Sequence, residues 1–385
     1  QAEQKEMTFD IKDIQLTDLD KLQNSFNDAV TFKALNGTDD PGKLLTLFDA
    51  LAKSLKVKKV QITNLAKITG KAPVSYAAEK LTINDFSVDH IGEILMEDLK
   101  LTVAGADTGL GKIDRISLRD IRLLDIIKFG KFAKENPGLK PTPERISAIF
   151  KWMSGVSVSG VDIKTPDGEF SGDYDLNWGK YVGLFPTEVT LDLKASLPVP
   201  PEKLINPKSP TADMQKKVLD LVKELGIEKL DVEVKIKIAW DENNQRLVIS
   251  PFIYDVNKLY SMSFTASIGN ISKAVLEEKD PKKLGVLFLG ATVGPITLEV
   301  KDKGLQVFYD RLAKGSIEGL KSGVTIPELQ PLFEDVVKLV NSPNGKLKIV
   351  VQPKSSVGLA QLAGAIAVSP MSIVSLFDLT SEFNK

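Results

Sequence analysis

The chain has 385 residues, with 50 Lys+Arg against 51 Asp+Glu, one histidine and no cysteine. That length buries a core and suits two or three domains, or one elongated repeat structure. Balanced charge without a basic block excludes a phosphate-gripping nucleic-acid surface, and the missing cysteines exclude disulfides, thiolate metal sites, iron–sulfur clusters and thiol nucleophiles.

Residues 1–40 are polar, and Phe9, Ile11, Ile14, Leu16 and Leu19 predict a short strand and a helix. Gln1-Ala2-Glu3-Gln4 is what cleavage behind a small-residue signal-peptidase site would leave, so export to the periplasm is expected. An arbitrary boundary at Gln1 is the alternative. A chain without cysteine avoids mispairing in an oxidising compartment.

From Lys43 to Ile68 an amphipathic helical period gives way to a strand period. The same sequence grammar returns at Glu144–Thr165, Gln215–Trp240 and Pro331–Pro353. It is clearest in the third. Val218, Leu219, Leu221, Val222 and Leu225 recur at helical spacing, Gly226 stops the helix, and Val232, Val234, Ile236 and Ile238 alternate with Glu233, Lys235 and Lys237. The recurrence points to one helix-to-strand unit used several times.

Strands are predicted over Val60–Ile68, Lys80–Val88, Gly92–Val103 and Lys112–Leu118, an antiparallel meander with turns at Gly70, Gly105 and Gly109. Residues 119–133 read as a helix. Between Glu169 and Trp178 the even positions Phe170, Tyr174, Leu176 and Trp178 are apolar and the odd positions polar, and Glu188–Leu197 alternates as a partner. The proline-rich run 198–210 predicts a linker between two similar halves, 1–197 and 211–385. Beyond it, Leu230–Ala239 is expected to pair with Arg246–Tyr254, with Tyr260–Ile268 next. Ile296, Leu298 and Val300 predict a strand that turns at Asp302-Lys303-Gly304 into a further strand through Leu305, Val307 and Tyr309. Ser355–Phe377 carries no charge, but Gln361, Ser369, Pro370, Ser372 and Ser375 favour two packed helices divided at Ser369-Pro370 over a transmembrane span. The expected class is therefore α+β: mainly antiparallel curved sheets with packed amphipathic helices.

No motif carries an enzyme signature. His90 adjoins Asp89, but neighbours on a strand point to opposite faces. Gly105–Lys112, GADTGLGK, lacks the first glycine of a phosphate loop, and Ile113 stands where Ser or Thr would hold magnesium. Asp241-Glu242-Asn243-Asn244 lacks the glycine and distal glutamate of a calcium loop. No metal or cofactor is expected. The apolar residues Phe170, Tyr174, Leu176, Trp178, Trp240, Phe252, Tyr254 and Phe264 either form ordinary core or line a cavity for a lipid or other apolar ligand.

The phrases LTINDFSVDHIGEILMEDLKLTVAG, GKIDRISLRDIRL and GKLKIVVQP resemble the repeating strand language of bacterial envelope proteins of the AsmA and YdgA-like type. The resemblance implies a periplasmic, β-rich protein concerned with lipid or outer-membrane homeostasis, and carries no site residue across. The membrane anchor common in those groups is not evident in this sequence. The expectation is a non-enzymatic carrier of an apolar ligand. A structural or protein-binding envelope component is the alternative, and a carboxylate-dependent hydrolase a third.

Overall fold

The computed structural model describes residues 8–16, 55–63, 68–69, 74–87, 89–103, 110–123, 125–126, 150–165, 168–183, 185–206, 208–313 and 326–384. The helices expected after Lys43 and Glu144, most of that over 119–133 and most of the GADTGLGK run lie outside them. Contacts divide the chain into two units, residues 1–163 and 164–385. Both are mainly antiparallel, in keeping with the α+β class.

The first unit contains β1 (Thr8–Leu16), β2 (Leu55–Thr63), β3 (Ile68–Thr69), β4 (Val74–Ala77), β5 (Lys80–Phe86), β6 (Ile91–Val103), β7 (Gly111–Ile121) and β8 (Gly155–Thr165). They pair in the order β1-β2-β5-β6-β7-β8, with β4 beside the far half of β6 and β3 beside β4. β7 runs through Ile121, opposite Ile91, so the helix predicted from residue 119 begins no earlier than Leu123. Gly111 opens β7 because a Cβ there would stand 2.3 Å from the Asp162 carbonyl oxygen of β8.

Four of these strands are interrupted by an aspartate in the left-handed region: Asp13 (φ 53°), Asp85 (φ 50°), Asp98 (φ 55°) and Asp120 (φ 55°). Gly160 (φ 63°) takes that role in β8. Aspartate tolerates this conformation because its short polar side chain bonds locally. Pairing resumes in the same register on either side, as Lys12 with Lys59 and Ile14 with Val57 show. Registers of successive strands therefore bring Asp13, Lys58, Asp85, Gly92 and Asp120 to one level across β1, β2, β5, β6 and β7.

The second unit contains β9 (Gly168–Trp178), β10 (Tyr181–Val182), β11 (Phe185–Pro186), β12 (Glu188–Pro198), β13 (Lys229–Asp241), β14 (Arg246–Val256), β15 (Tyr260–Gly269), β16 (Thr292–Val293), β17 (Ile296–Asp302), β18 (Lys346–Pro353), β19 (Val357–Gly358) and β20 (Phe377–Asn384). Its helices among the described residues include α1 (Ala212–Glu224), α2 (Lys273–Glu277), α3 (Pro281–Leu289), α4 (Leu305–Phe308), α5 (Gln330–Val340) and α6 (Leu359–Val368). The long strands form one antiparallel sheet in the order β9-β12-β13-β14-β15-β17-β18-β20. β16 pairs with the end of β15 and with β19.

Helix α1 buries Leu219, Leu221 and Val222. It ends in a Schellman motif: Gly226 (φ 64°) donates its N–H to Lys223, and Ile227 donates back to Val222. β13 starts two residues later. The proline-rich segment expected as a linker joins two neighbours of one sheet, since β12 before it pairs with β13 after it along its whole length. Prolines end the β12 ladder, and the chain returns through α1.

The strand predicted through Leu305, Val307 and Tyr309 is instead α4, continued by a π-helical turn over Tyr309–Ala313. The buried Asp302 carboxylate caps it, accepting from the Gly304 and Gln306 amides at 3.3 and 3.1 Å and from Asn344 N–H at 3.0 Å. Leu305, Phe308 and Tyr309 fit helical spacing as well as Leu305, Val307 and Tyr309 fit a strand, and the cap decides. The stretch Ser355–Phe377 folds as α6 followed by a 3-10 turn over Pro370–Leu376. No helix among the described residues is long and apolar enough to cross a membrane.

Candidate functional site: an open apolar sheet face

Cross-strand register converts eight separate alternations into continuous rows. One row runs Leu176, Leu191, Ile236, Phe252, Phe264, Leu298, Ile349 and Ser381 across β9, β12, β13, β14, β15, β17, β18 and β20. The next runs Tyr174, Leu193, Val234, Tyr254, Met262, Val300, Leu347 and Phe383. Only Ser381 and the hydroxyl tips of two tyrosines interrupt the hydrocarbon. Successive residues face opposite sides. The reverse face accordingly carries Asp173, Lys194, Glu233, Asp255, Ser261, Lys301, Lys346 and Asn384 in one row.

β14 keeps step with its neighbours through a bulge. Ile236 pairs with Phe252 but Ile238 with Ile249, so β14 holds one extra residue at Ser250-Pro251. Pro251 has no N–H to offer a ladder, and a bulge is where a central strand tolerates it. The extra residue returns both Ile249 and Phe252 to the apolar side. Phe252 and Phe264 meet edge to face, centroids 6.3 Å apart, and Tyr254 rests on Tyr260 at 5.9 Å. Burial, and then Tyr254, push the Tyr260 hydroxyl above its ordinary pKa.

The two rows are central in the sheet, yet all their residues except Leu347 are only half-buried. The β9 to β17 members keep partial accessibility, whereas side chains enclosed between layers elsewhere in this unit are fully buried. Trp240 shows the contrast: with Ile271, Leu276 and Ala291 it forms a closed cluster, packed by Val182, Phe185, Leu247, Ile268, Phe288 and Leu359. Its indole N–H donates to the Ile271 carbonyl at 2.7 Å. Helix α5 lies on β18 and β20. There Ser381 donates to Asp335 of the helix at 2.7 Å, which accounts for a serine within an apolar row. Lys338 pairs with the same carboxylate at 2.8 Å, and this bond, outweighing burial with help from Ser381, holds Asp335 below the usual carboxylate range.

Of the residues expected from sequence, Tyr174, Leu176, Phe252, Tyr254 and Phe264 belong to the open rows. Trp178 is buried on β9, level with Val189, and Trp240 is buried in the closed cluster. Phe170 is exposed near the start of β9. The aliphatic members Leu191, Leu193, Val234, Ile236, Leu298, Val300 and Ile349 were missed. Their signal was the same alternation, read as strand patterning without being added to the face.

The polar face is tied together by ion pairs, among them Lys235 with Glu233 at 2.6 Å, Lys346 with Glu299 at 2.8 Å and Lys303 with Asp255 at 2.6 Å. Asp241, considered for calcium, instead caps the β13–β14 turn. It accepts from the Asn244 side-chain amide at 2.7 Å and backbone N–H at 3.1 Å, and these bonds lower its pKa.

In the first unit the level of left-handed aspartates borders a cleft of about 630 Å³, lined by Lys12, Lys58, Lys59, Arg119, Glu93 and the three aspartates Asp13, Asp85 and Asp120, among others. Burial pushes the Glu93 carboxyl up, but hydrogen bonds from Ser117 and Asn84 and the Arg115 charge together bring it below its ordinary value. His90 Nε2 pairs with Asp120. Ser87 Oγ bonds Asp89 and the His90 carbonyl. Among the described residues no group of His, Cys, Asp and Glu has the arrangement of a metal site. Lys112, from the phosphate-loop-like run, is committed to Asp114 at 3.1 Å.

No protein-family model matches the chain, and no curated protein matches it.

Proposed function

We propose that the protein is a non-enzymatic carrier which holds a lipid or other apolar ligand along the uncharged face of the β9–β20 sheet, acting in the periplasm or another exported location. The supporting observation is the pair of in-register apolar rows left partly accessible across β9 to β17. The six long strands from β9 to β17 that α5 does not cover, at about 4.8 Å spacing, make a strip roughly 24 Å long. That exceeds the ~15 Å occupied by the acyl chains of one bilayer leaflet. Covering the strip with hydrocarbon releases about 25 cal/mol for each Å² removed from water.

The chemistry of the strip favours an acyl chain over a protein partner. Protein interfaces carry roughly one hydrogen bond per 100–200 Å², and these rows offer almost nothing to bond. Native mass spectrometry of the purified protein, followed by organic extraction, tests the reading. A stoichiometric lipid-like mass is expected. A mass matching the bare chain, unchanged after incubation with an envelope lipid extract, would overturn it and favour the structural or protein-binding alternative.

A further inference from the structure

The Trp240 cluster lies on the same apolar face two levels beyond the Ile236–Phe252–Phe264 row, with the apolar level Ile238–Ile249–Ala266 between them and Trp240 paired with Leu247 and Leu247 with Ile268. Two helices close it: α3 contributes Phe288 and α6 contributes Leu359. They leave a common ladder, because α3 runs into β16, β16 pairs with β19, and β19 leads into α6. The sides of these helices turned from the cluster are bare hydrocarbon. Val286 is 68 % exposed, Leu289 48 %, Ile366 52 % and Val368 86 %. Gly285 and Gly364 have open space around them.

Two further features give this tip a chemical partner. No charged residue occurs from Ser355 to Phe377, and the only charged residues of α3 are Lys282 and Lys283 in its first turn. Of the three acids before them, Glu278 accepts from the Lys279 and Asp280 amides, Asp280 accepts from Lys282 N–H, and Glu277 lies exposed at the end of α2. No described side chain is paired with the Lys282 or Lys283 ammonium group.

We propose that the α3–α6 tip docks on a lipid bilayer surface, seating Val286, Leu289, Ile366 and Val368 among the acyl chains with Lys282 and Lys283 at the phosphates. Helices of 9 and 10 residues are about 14–15 Å long, so they lie in the interfacial layer instead of crossing it. The tip lies beside the middle of the apolar strip, separated from it along the strands by the apolar level Ile238–Ile249–Ala266, so a lipid leaving the bilayer there reaches the strip without crossing a charged row. This placement rests on the carrier reading; the docking itself is measured separately.

The test is flotation of the full chain with vesicles of phosphatidylcholine and phosphatidylglycerol in equal parts, with bound lipid read by mass spectrometry on the vesicle-free protein. Wild type is expected to float. The double variant Val286→Asp/Val368→Asp alters side chains already in water, so its circular dichroism should match wild type while vesicle binding falls about tenfold or more. Lys282→Glu/Lys283→Glu should lose roughly fivefold per lysine on the anionic vesicles, the fold-change equivalent to ~1 kcal/mol, and little on pure phosphatidylcholine. A wild type that stays at the bottom of the gradient, or an aspartate variant that floats as well as wild type, overturns the proposal. Self-association of wild type without flotation overturns it too, making the tip a protein contact. Flotation of a protein that carries no lipid supports docking and counts against the carrier.

Discussion

Leu298 and Leu347 are diagonal neighbours on the apolar face of adjacent strands β17 and β18, and truncating each to alanine measures how open that face is. Leu347 is 2 % exposed, beside the end where α5 lies. Leu298 is half-buried, touched by its row neighbours Phe264 and Ile349. The chemistry removed is identical. Leu347→Ala leaves a closed cavity and should cost about 3–4 kcal/mol, within the range of fully buried leucines. Leu298→Ala removes atoms already partly in water and leaves an open dent, so about 1–1.5 kcal/mol is expected. Urea unfolding monitored by tryptophan fluorescence is the assay, in a Trp152→Phe background so that Trp178 and Trp240 report the second unit. Equal losses at the two positions would refute the reasoning, because they would mean that a second layer covers the face at Leu298.

Three other outcomes follow from the geometry. Asp98→Gly should leave the first unit within about 0.5 kcal/mol of wild type, while Asp98→Val should cost about 1–2 kcal/mol because a β-branched residue resists positive φ; thermal unfolding compares the two. Asp335→Ala removes the partner of Ser381 and Lys338 and should destabilise the second unit by about 1–2 kcal/mol at neutral pH, seen as a lower urea midpoint. The Asp335 pKa is lower folded than unfolded, so its contribution is present above the ordinary carboxylate value of ~3.9. It is lost as pH falls through the folded-state value, and acid titration should show wild type and Asp335→Asn converging there. Gly111→Ala should weaken the β7–β8 pairing through the clash with the Asp162 carbonyl, raising amide exchange across Lys112–Ser117 and leaving exchange in the second unit unchanged.

Period-two alternation gave the long strands and the side each residue faces, because every strand from β12 to β20 with more than two residues is paired antiparallel and polar residues crowd one side. The Schellman stop at Gly226 was legible for the same local reason. Register was not. That Leu191, Ile236 and Phe252 share a row depends on turn lengths and on the β14 bulge, which no single strand encodes. The left-handed aspartates were equally hidden, since Asp13 and Asp98 read as ordinary polar positions while their backbone turns the other way. Alternation at Leu305, Val307 and Tyr309 misled because a carboxylate at Asp302 outcompetes a five-residue period. The aromatic list for the candidate site found five members of the open rows but took in Trp240, whose burial comes from helices in another part of the chain.

A photoreactive fatty acid bearing a diazirine in mid-chain, incubated with the purified protein, irradiated and mapped by peptide mass spectrometry, tests the open face most directly. Adducts are expected on residues of the two rows, concentrated on Ile236, Phe252, Phe264, Leu298 and their strand neighbours, and reduced by excess unlabelled phospholipid. Adducts scattered over the charged face, or none at a probe concentration that labels a known lipid carrier, would contradict the account.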